Sequence, residues 1–189
     1  MTEHEQALRE GGLAILPTDT VYGIGCAASL PGACARLYAL KARPADQPTA
    51  VVLGSVDALT EVLPELSADM GAVVRNMLPG PVTLVVPNAG RRFKHLCGAT
   101  VDRIGVRVPV LPVAVAALAD AVGGLALTSA NARGGTAPAR LADVPDELRA
   151  AAAFAIDAGA LPGVPSTVID VTGPRPVVLR PGPAPSPPA

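Results

Sequence analysis

Polar or cationic side chains directly follow four short apolar runs of this chain, and their types suit the binding of an anion. The apolar runs span 13–16, 104–106, 125–127 and 177–179. The side chains that follow them are Thr18, Asp19, Thr20, Arg107, Thr128, Ser129, Asn131 and Arg180. Lys41 and Arg43 add two cations at the end of a predicted helix. Because ligands of open α/β sheets bind at the carboxyl ends of the strands, the pattern predicts a small-molecule site for a phosphorylated ligand.

Taken singly, each of these groups also has a structural interpretation. Lys41 and Arg43 could do no more than complement the dipole of the helix that they end. Ser129 and Asn131 could offer a hydroxyl and an amide to a ligand, or could cap the segment that follows. Asp19 could cap a turn or contact a magnesium ion. The residues alone leave these alternatives open.

Several familiar motifs are absent or misplaced. The run from Gly23 to Ala28 matches G-x-G-x-x-A, but six residues separate it from the preceding predicted strand and no helix is predicted to begin there. We therefore interpret Gly23 and Gly25 as turn glycines. There is no G-x-x-x-x-G-K-[ST] motif, Ser129 lies in no G-x-S-x-G elbow, and two histidines with three cysteines show no zinc spacing. A metal-binding cluster of side chains is not predicted.

Composition excludes some classes of protein. The 189 residues carry a formal net charge of −1 and only two Tyr, two Phe and no Trp, so neither duplex binding nor base stacking along a single strand is favoured. The odd number of cysteines and the polar N-terminus favour a cytoplasmic protein. The apolar stretch 110–128 is interrupted by Pro112, Asp120 and two glycines, so no membrane span is predicted.

Alternating helical and strand patterns predict an α/β fold. Helices are expected at 3–10, 31–40, 57–63, 68–77, 113–122 and 147–153, and strands at 13–16, 49–53, 82–86, 104–108, 125–128, 154–156, 167–171 and 177–179. The closely spaced last strands indicate a mixed parallel and antiparallel sheet. One domain over 1–182 is expected, followed by a proline-rich, disordered tail over 183–189.

Seven segments in order resemble the YrdC-type threonylcarbamoyl-AMP synthases. They are Pro17-Thr18-Asp19-Thr20-Val21-Tyr22-Gly23, Lys41-Ala42-Arg43-Pro44, Pro79-Gly80-Pro81-Val82-Thr83, Gly105-Val106-Arg107-Val108-Pro109, Ser129-Ala130-Asn131, Pro165-Ser166-Thr167-Val168-Ile169-Asp170 and Leu179-Arg180-Pro181-Gly182. The resemblance covers the chain from about Leu13 to Gly182. It implies a twisted mixed sheet flanked by helices, with an open, basic cavity.

The resemblance also implies an activity, that of a nucleotidyltransferase. L-threonine, bicarbonate and ATP, with Mg²⁺, would give threonylcarbamoyl-AMP and pyrophosphate. Downstream threonylcarbamoyl-transferase proteins would then modify tRNA, which this chain could itself contact.

Site residues follow from the same resemblance, position by position. The family's K-x-R and S-x-N signature corresponds to Lys41, Arg43, Ser129 and Asn131, which are expected to be catalytic. The ATP contacts are expected at Arg43, Gln47, Ser129 and Arg180, and the threonine contacts at Thr20, Arg107 and Ser166.

Three positions depart from the family pattern. Val52 stands where longer, two-domain relatives tend to carry His, Arg133 replaces a Ser, and Ala137 falls where some relatives have Ser. The chain resembles the short bacterial form without a second domain. One alternative is a non-catalytic RNA-binding module of the same fold, based on Arg91, Arg92, Lys94 and Arg103. Carbamoyl transfer, as in larger maturation enzymes, is a third.

Overall fold

Nine strands in the described part of the chain form one mixed sheet in the order β7-β1-β2-β6-β3-β5-β4-β8-β9. The computed structural model describes residues 1–184. The strands are β1 (Leu13–Pro17), β2 (Tyr22–Ala27), β3 (Val51–Val52), β4 (Val82–Pro87), β5 (Arg103–Arg107), β6 (Leu125–Ser129), β7 (Ala152–Ala155), β8 (Thr167–Asp170) and β9 (Val177–Arg180). Three neighbouring pairs are parallel, β1/β7, β3/β5 and β4/β8, and the others are antiparallel. The predicted mixed α/β fold is confirmed.

Six α-helices flank this sheet within residues 1–184. They are α1 (Glu3–Arg9), α2 (Pro31–Leu40), α3 (Val56–Val62), α4 (Ala68–Met77), α5 (Val113–Ala121) and α6 (Asp146–Ala151). Thr2, Ser55 and Ser67 cap α1, α3 and α4, each accepting a backbone N–H three residues on. Pro31 begins α2, where its missing N–H costs nothing. These local signals explain why the bounds of α2 and α4 agree with prediction.

Strand β2 corrects the interpretation of Gly23 and Gly25 as turn glycines. Both lie inside a fully buried strand that pairs with β1 and β6. A Cβ on Gly25 would come within 2.3 Å of the Ala126 carbonyl oxygen, and one on Gly23 within 2.7 Å of Leu127 Cγ. The glycines therefore allow β6 to lie close to β2, and their low strand propensity hid the strand from the sequence pattern.

The two faces of the sheet are covered differently. Residues such as Leu84, Val106, Ala126 and Ile169 point to a large apolar core shared with α2, α3 and α4. On the other face, α1 and α5 cover one part, packing on a second cluster that includes Val52. Each fully buried Leu or Val contributes about 1.5–3 kcal/mol, so both clusters hold the sheet rigidly. The rest of that second face forms the wall of a cavity.

The chain after β9 contacts the sheet again at Ala184. Ala184 donates its N–H to Thr167 Oγ1 at 3.0 Å and accepts the hydroxyl of the same residue at 3.2 Å. Ala184, the second residue of the predicted tail, thus contacts β8, and residues 185–189 lie outside the described residues. Within 1–184, no helix combines the length and the hydropathy that crossing a bilayer requires.

Candidate functional site

A cavity of about 500 Å³ lies on the sheet face that α1 and α5 leave uncovered. Alternate residues of neighbouring strands form its wall, because side chains two apart point to the same side of a strand. The wall includes Thr83 and Val85 of β4, Gly105 and Arg107 of β5, Leu127 and Ser129 of β6, and Val168 and Asp170 of β8. Arg43, Ser166 and Arg180 also line it. Residues far apart in sequence therefore meet in one pocket.

Neutral groups hold Arg43 in place, and no carboxylate of the described chain contacts it. Its Nη1 donates to Thr128 Oγ1 at 3.3 Å and its Nη2 to the Pro48 carbonyl at 2.8 Å. The guanidinium also lies 5.7 Å from the centre of the Tyr38 ring. Its Nε is buried and finds no partner among residues 1–184. Burial lowers the pKa of Arg43, and a buried donor without a partner is suited to an incoming anion.

Lys41 does not line the cavity; it holds the loop that carries Ser129. Its Nζ donates to the Ser129 carbonyl at 2.8 Å, to the Asn131 carbonyl, and to Asn131 Oδ1 at 3.3 Å. The Ser129 hydroxyl in turn donates to Asn131 Oδ1 at 2.6 Å. Burial, and then the charge of Arg43, lowers the pKa of Lys41 to about 8. Lys41 and Asn131 thus act on Ser129, which does reach the cavity.

Arg133 adds a third cation beside these two. Its Nη1 donates to the Ala42 carbonyl at 2.8 Å, and its charge contributes to lowering the pKa of Arg43. Among residues 1–184, none of Lys41, Arg43 and Arg133 forms an ion pair. We call this group, with Thr128, Ser129 and Asn131, the Arg43 side of the cavity.

Arg107 is deeply buried and carries a carboxylate partner. Arg107 is 8% exposed. Its Nη2 donates to Asp19 Oδ1 and, at 2.7 Å, to Thr20 Oγ1. Its Nε is buried and without a partner in the described chain. Burial lowers the pKa of Arg107, and the charge of Asp19 opposes that shift. Like Arg43, Arg107 therefore has a buried donor that no residue of the described chain uses.

A second arginine lies near Arg107. Arg180 donates from Nε and Nη2 to the Ser166 carbonyl at 3.1 and 2.8 Å, and from Nη2 to Ser166 Oγ at 3.1 Å. Ser166 Oγ also lies 2.9 Å from Thr83 Oγ1. Both arginines line the cavity, and the charge of Arg180 contributes to lowering the pKa of Arg107. We call Arg107, Asp19, Thr20, Thr83, Ser166 and Arg180 the Arg107 side.

The structure brings together most, not all, of the residues expected to bind ligands. Arg43, Ser129, Arg107, Ser166 and Arg180 line the cavity. Lys41, Asn131 and Thr20 stand one layer behind, bonded to lining residues. Gln47 is exposed and outside the lining; its carbonyl accepts from the Tyr38 hydroxyl at 3.2 Å and its backbone N–H donates to the Pro44 carbonyl at 3.1 Å. The ATP role of Gln47 stays a prediction, as does that of Arg180, which bonds to the expected threonine contact Ser166.

Sequence reasoning assigned no role to Thr83 or Thr128, and left Asp19 undecided between a turn and a metal. Thr83 meets Ser166 only through the parallel pairing of β4 with β8. Thr128 follows an apolar run, which was the available signal, but its contact with Arg43 depends on the loop after α2. These pairings join residues more than 80 positions apart.

The basic residues behind the RNA-binding alternative are partly neutralised. Arg92 donates to Glu65 at 2.7 Å, and Arg103 donates to Asp170 at 3.0 Å. Such pairs reduce the positive charge offered to phosphates. All three cysteines are free and buried. Nowhere in residues 1–184 do three or more His, Cys, Asp or Glu side chains gather in a way that could hold a metal ion.

Comparison with known proteins places this geometry in a family. The Sua5/YciO/YrdC family model, described as "Telomere recombination", matches residues 6–182. A threonylcarbamoyl-AMP synthase from Pyrococcus abyssi is 34% identical over 176 residues, which are 93% of this chain and 52% of that protein. A putative threonylcarbamoyl-AMP synthase from Mycobacterium tuberculosis is 35% identical over 178 residues, covering 94% and 81%.

A solved structure agrees with these matches. The crystal structure of P. abyssi Sua5 complexed with L-threonine superposes with a TM-score of 0.83 at 33% identity, covering 94% of this chain and 52% of that one. The chain thus spans about half the length of the Pyrococcus relative. From the family match and the relatives' identities together, the chain belongs to the Sua5/YciO/YrdC family.

Proposed function

We propose that this protein is an L-threonylcarbamoyladenylate synthase, a nucleotidyltransferase that makes threonylcarbamoyl-AMP and pyrophosphate from L-threonine, bicarbonate and ATP. The observation that carries the proposal is the unequal charge of the two sides of one cavity. Among residues 1–184, Arg43 lines the cavity without an ion pair and has the unpaired Lys41 and Arg133 behind it, whereas Arg107 on the other side is paired with Asp19. A polyphosphate suits the first side and a single carboxylate suits the second.

On the Arg43 side, the chain offers donors that match phosphate oxygens. The unpartnered Arg43 Nε can bind one oxygen, and the Ser129 hydroxyl can turn from Asn131 to another. An arginine with a free edge binds phosphate in a charge-assisted and geometrically specific way. Lys41 fixes the loop of Ser129, and its charge lies close enough to support the same anion.

On the Arg107 side, the groups suit an amino acid. The Nε of Arg107, which has no partner within residues 1–184, can donate to the carboxylate of L-threonine, the amino acid bound in the complex of the Pyrococcus relative. Ser166 and Thr83 offer hydroxyls near Arg180. The apolar wall between the two sides includes Val52 and Leu127, which can pack on the substrate's methyl group.

The proposed reaction forms two bonds and needs no covalent enzyme intermediate. The threonine nitrogen displaces water from bicarbonate to give a carbamate, and a carbamate oxygen then displaces pyrophosphate from the α-phosphorus of ATP. Negative charge on the phosphoryl oxygens is stabilised by donors that are already in place, chiefly Arg43. The cavity wall also keeps water from the labile carbamate and mixed anhydride.

Magnesium enters this proposal as part of the MgATP substrate. Asp46 and Asp170 are the carboxylates that line the cavity, and Asp170 already accepts from Arg103 and Thr172. Mg²⁺ is commonly held by substrate phosphates and water with one or two carboxylates, so Asp46 is the residue placed to assist. When bound, the ion would neutralise phosphate charge.

The remaining expectations stay proposals. The product would pass to threonylcarbamoyl-transferase proteins that act on tRNA in the cytoplasm. Direct tRNA binding by this chain depends on Arg91 and Lys94, since Arg92 and Arg103 are ion-paired. No observation favours the RNA-binding module or carbamoyl transfer as a second function.

Pyrophosphate release tests the proposal. Purified protein with MgATP should release pyrophosphate only when both L-threonine and bicarbonate are present. Omission of either, and the exposed Arg140→Ala variant, serve as controls for background hydrolysis and for a neutral surface change. Release no greater than in the protein-free blank would contradict the proposed function.

A further inference from the structure

Asp19 stands at the tip of the β1–β2 turn, which is held rigidly by its neighbours. Thr18 Oγ1 accepts the N–H groups of Thr20 and Val21, each at 3.2 Å, and donates to the Val21 carbonyl at 2.7 Å. Thr18 and Thr20 are both buried. Three local hydrogen bonds to one hydroxyl leave the turn little freedom, so the position of the Asp19 carboxylate is fixed by the fold.

Both oxygens of that carboxylate are engaged. Oδ1 accepts from Arg107 Nη2, and Oδ2 accepts the backbone N–H of Val110 at 3.1 Å. The Asp19 side chain is only 12% exposed and that of Arg107 10%. Asp19 therefore ties the turn to the end of β5 and to the chain that follows it. Its oxygens are committed to these donors, which argues against the alternative of a magnesium ligand.

The contacts of Asp19 and Thr20 fix the orientation of the Arg107 guanidinium. Asp19 and Thr20 both accept from Nη2, so the guanidinium is fixed at that end while the buried Nε has no partner in the described chain. An arginine side chain otherwise has several rotamers and loses about 2 kcal/mol of rotamer entropy when one is selected. A pre-oriented Nε–H can donate to a carboxylate without that cost at the moment of binding.

We infer that Asp19 is a positioning residue for the amino-acid subsite: it holds the Arg107 guanidinium in the orientation from which its Nε–H can donate to the substrate carboxylate. The inference rests on the proposed function for the identity of that carboxylate. It assigns Asp19 no contact with the substrate and no share in ATP binding. The β1–β2 turn then also has a role in function, because the turn positions Asp19 and Asp19 in turn positions Arg107.

The test compares two Asp19 variants with the native protein. Asp19→Asn keeps the shape and removes the charge, and Asp19→Glu keeps the charge but moves it by one methylene. Each should raise the KM for L-threonine by on the order of 10- to 100-fold, as expected for a misplaced binding group, while the KM for ATP changes less than about twofold. If Asp19 only stabilised the fold, its variants would change the KM for L-threonine and the KM for ATP to a similar extent. Glu65→Gln, which removes the acid from the exposed Arg92 pair, is the matched control and should change neither constant.

Calorimetric titration of L-threonine gives the same test without turnover. The Asp19 variants should bind threonine more weakly by the same factor and melt cooperatively. An unchanged threonine affinity in either folded variant would overturn the inference, as would equal losses for threonine and ATP. Loss of cooperative folding in both variants would also contradict it, because positioning requires a folded protein. If the native protein binds threonine yet releases no pyrophosphate, the proposed function fails while this inference is still tested.

Discussion

The two sides of the cavity hold their arginines by different means. Arg43 is kept in place by carbonyl and hydroxyl oxygens and by the Tyr38 ring, and no acid among residues 1–184 pairs with it. Arg107 is more deeply buried and is paired with Asp19. A partly exposed cation can remain uncompensated and so offer its full charge to a ligand, whereas a deeply buried one requires a partner. The difference matches a polyanion at one side and a monoanion at the other.

The largest expected effect is on turnover, at the uncompensated side. Arg43→Ala should lower the rate of pyrophosphate release by about 100-fold or more, because a donor aimed at developing phosphoryl charge is lost. The melting temperature should stay within about 4 °C, since no ion pair is broken. Activity assays and thermal melts, with Arg140→Ala as the control, measure both. Retained activity would remove Arg43 from the site.

The next effect is on stability, at the paired side. Arg107→Met removes the partner of a buried carboxylate and should lower the free energy of unfolding by about 3–5 kcal/mol. For a chain of this size that corresponds to roughly 6–20 °C in melting temperature. Adding Asp19→Asn to the same chain should restore part of the loss, because the orphaned charge is then gone. A melting temperature unchanged by Arg107→Met would show that the pair is not buried in solution.

A pH profile separates charge from packing at Lys41. Its pKa is lowered to about 8, so the ammonium that donates to the Ser129 and Asn131 oxygens deprotonates above that pH. Turnover should therefore fall as the pH rises, with a midpoint near pH 8, and the Lys41→Met variant should not show this fall.

The free energy of unfolding should change in the opposite direction. Between about pH 8 and 10.5 the unfolded chain binds more protons at this residue, so this contribution to folding rises with pH. Parallel losses of activity and stability would contradict this account.

The smallest effect is expected at Ser129. Ser129→Ala removes one neutral hydroxyl that can contact phosphate, a loss of about 0.5–1.5 kcal/mol. The KM for ATP should rise by roughly 2- to 10-fold, and the KM for threonine should not change. Steady-state kinetics with each substrate varied in turn measure this. A rise in the KM for threonine alone would place Ser129 on the Arg107 side of the cavity.

Much of the fold follows from local signals, and the failures have physical causes. Helices α2 and α4 have the predicted bounds because proline, serine caps and apolar spacing coincide there. Strand β2 is hidden because Gly23 and Gly25 serve close packing rather than strand propensity. No local sequence pattern could reveal this close packing, because the strand that approaches the two glycines is β6.

The candidate site, like the fold, could be predicted only in part from the sequence. Arg43, Ser129 and Arg107 can be predicted because cations and hydroxyls stand at strand and helix ends. The sequence could not show that Lys41 points to the Ser129 loop, or that Asp19 pairs with Arg107, since both contacts join residues 88 positions apart or more. Residue type indicates chemistry, but only topology indicates the partner.

The most direct test of the division into two sides is calorimetric titration of L-threonine and of ATP into the native protein, Arg43→Ala and Arg107→Lys. Arg43→Ala should lose ATP affinity by about 10-fold or more and keep threonine affinity within about threefold, and Arg107→Lys should do the reverse. Equal loss of both ligands in each variant would contradict the account.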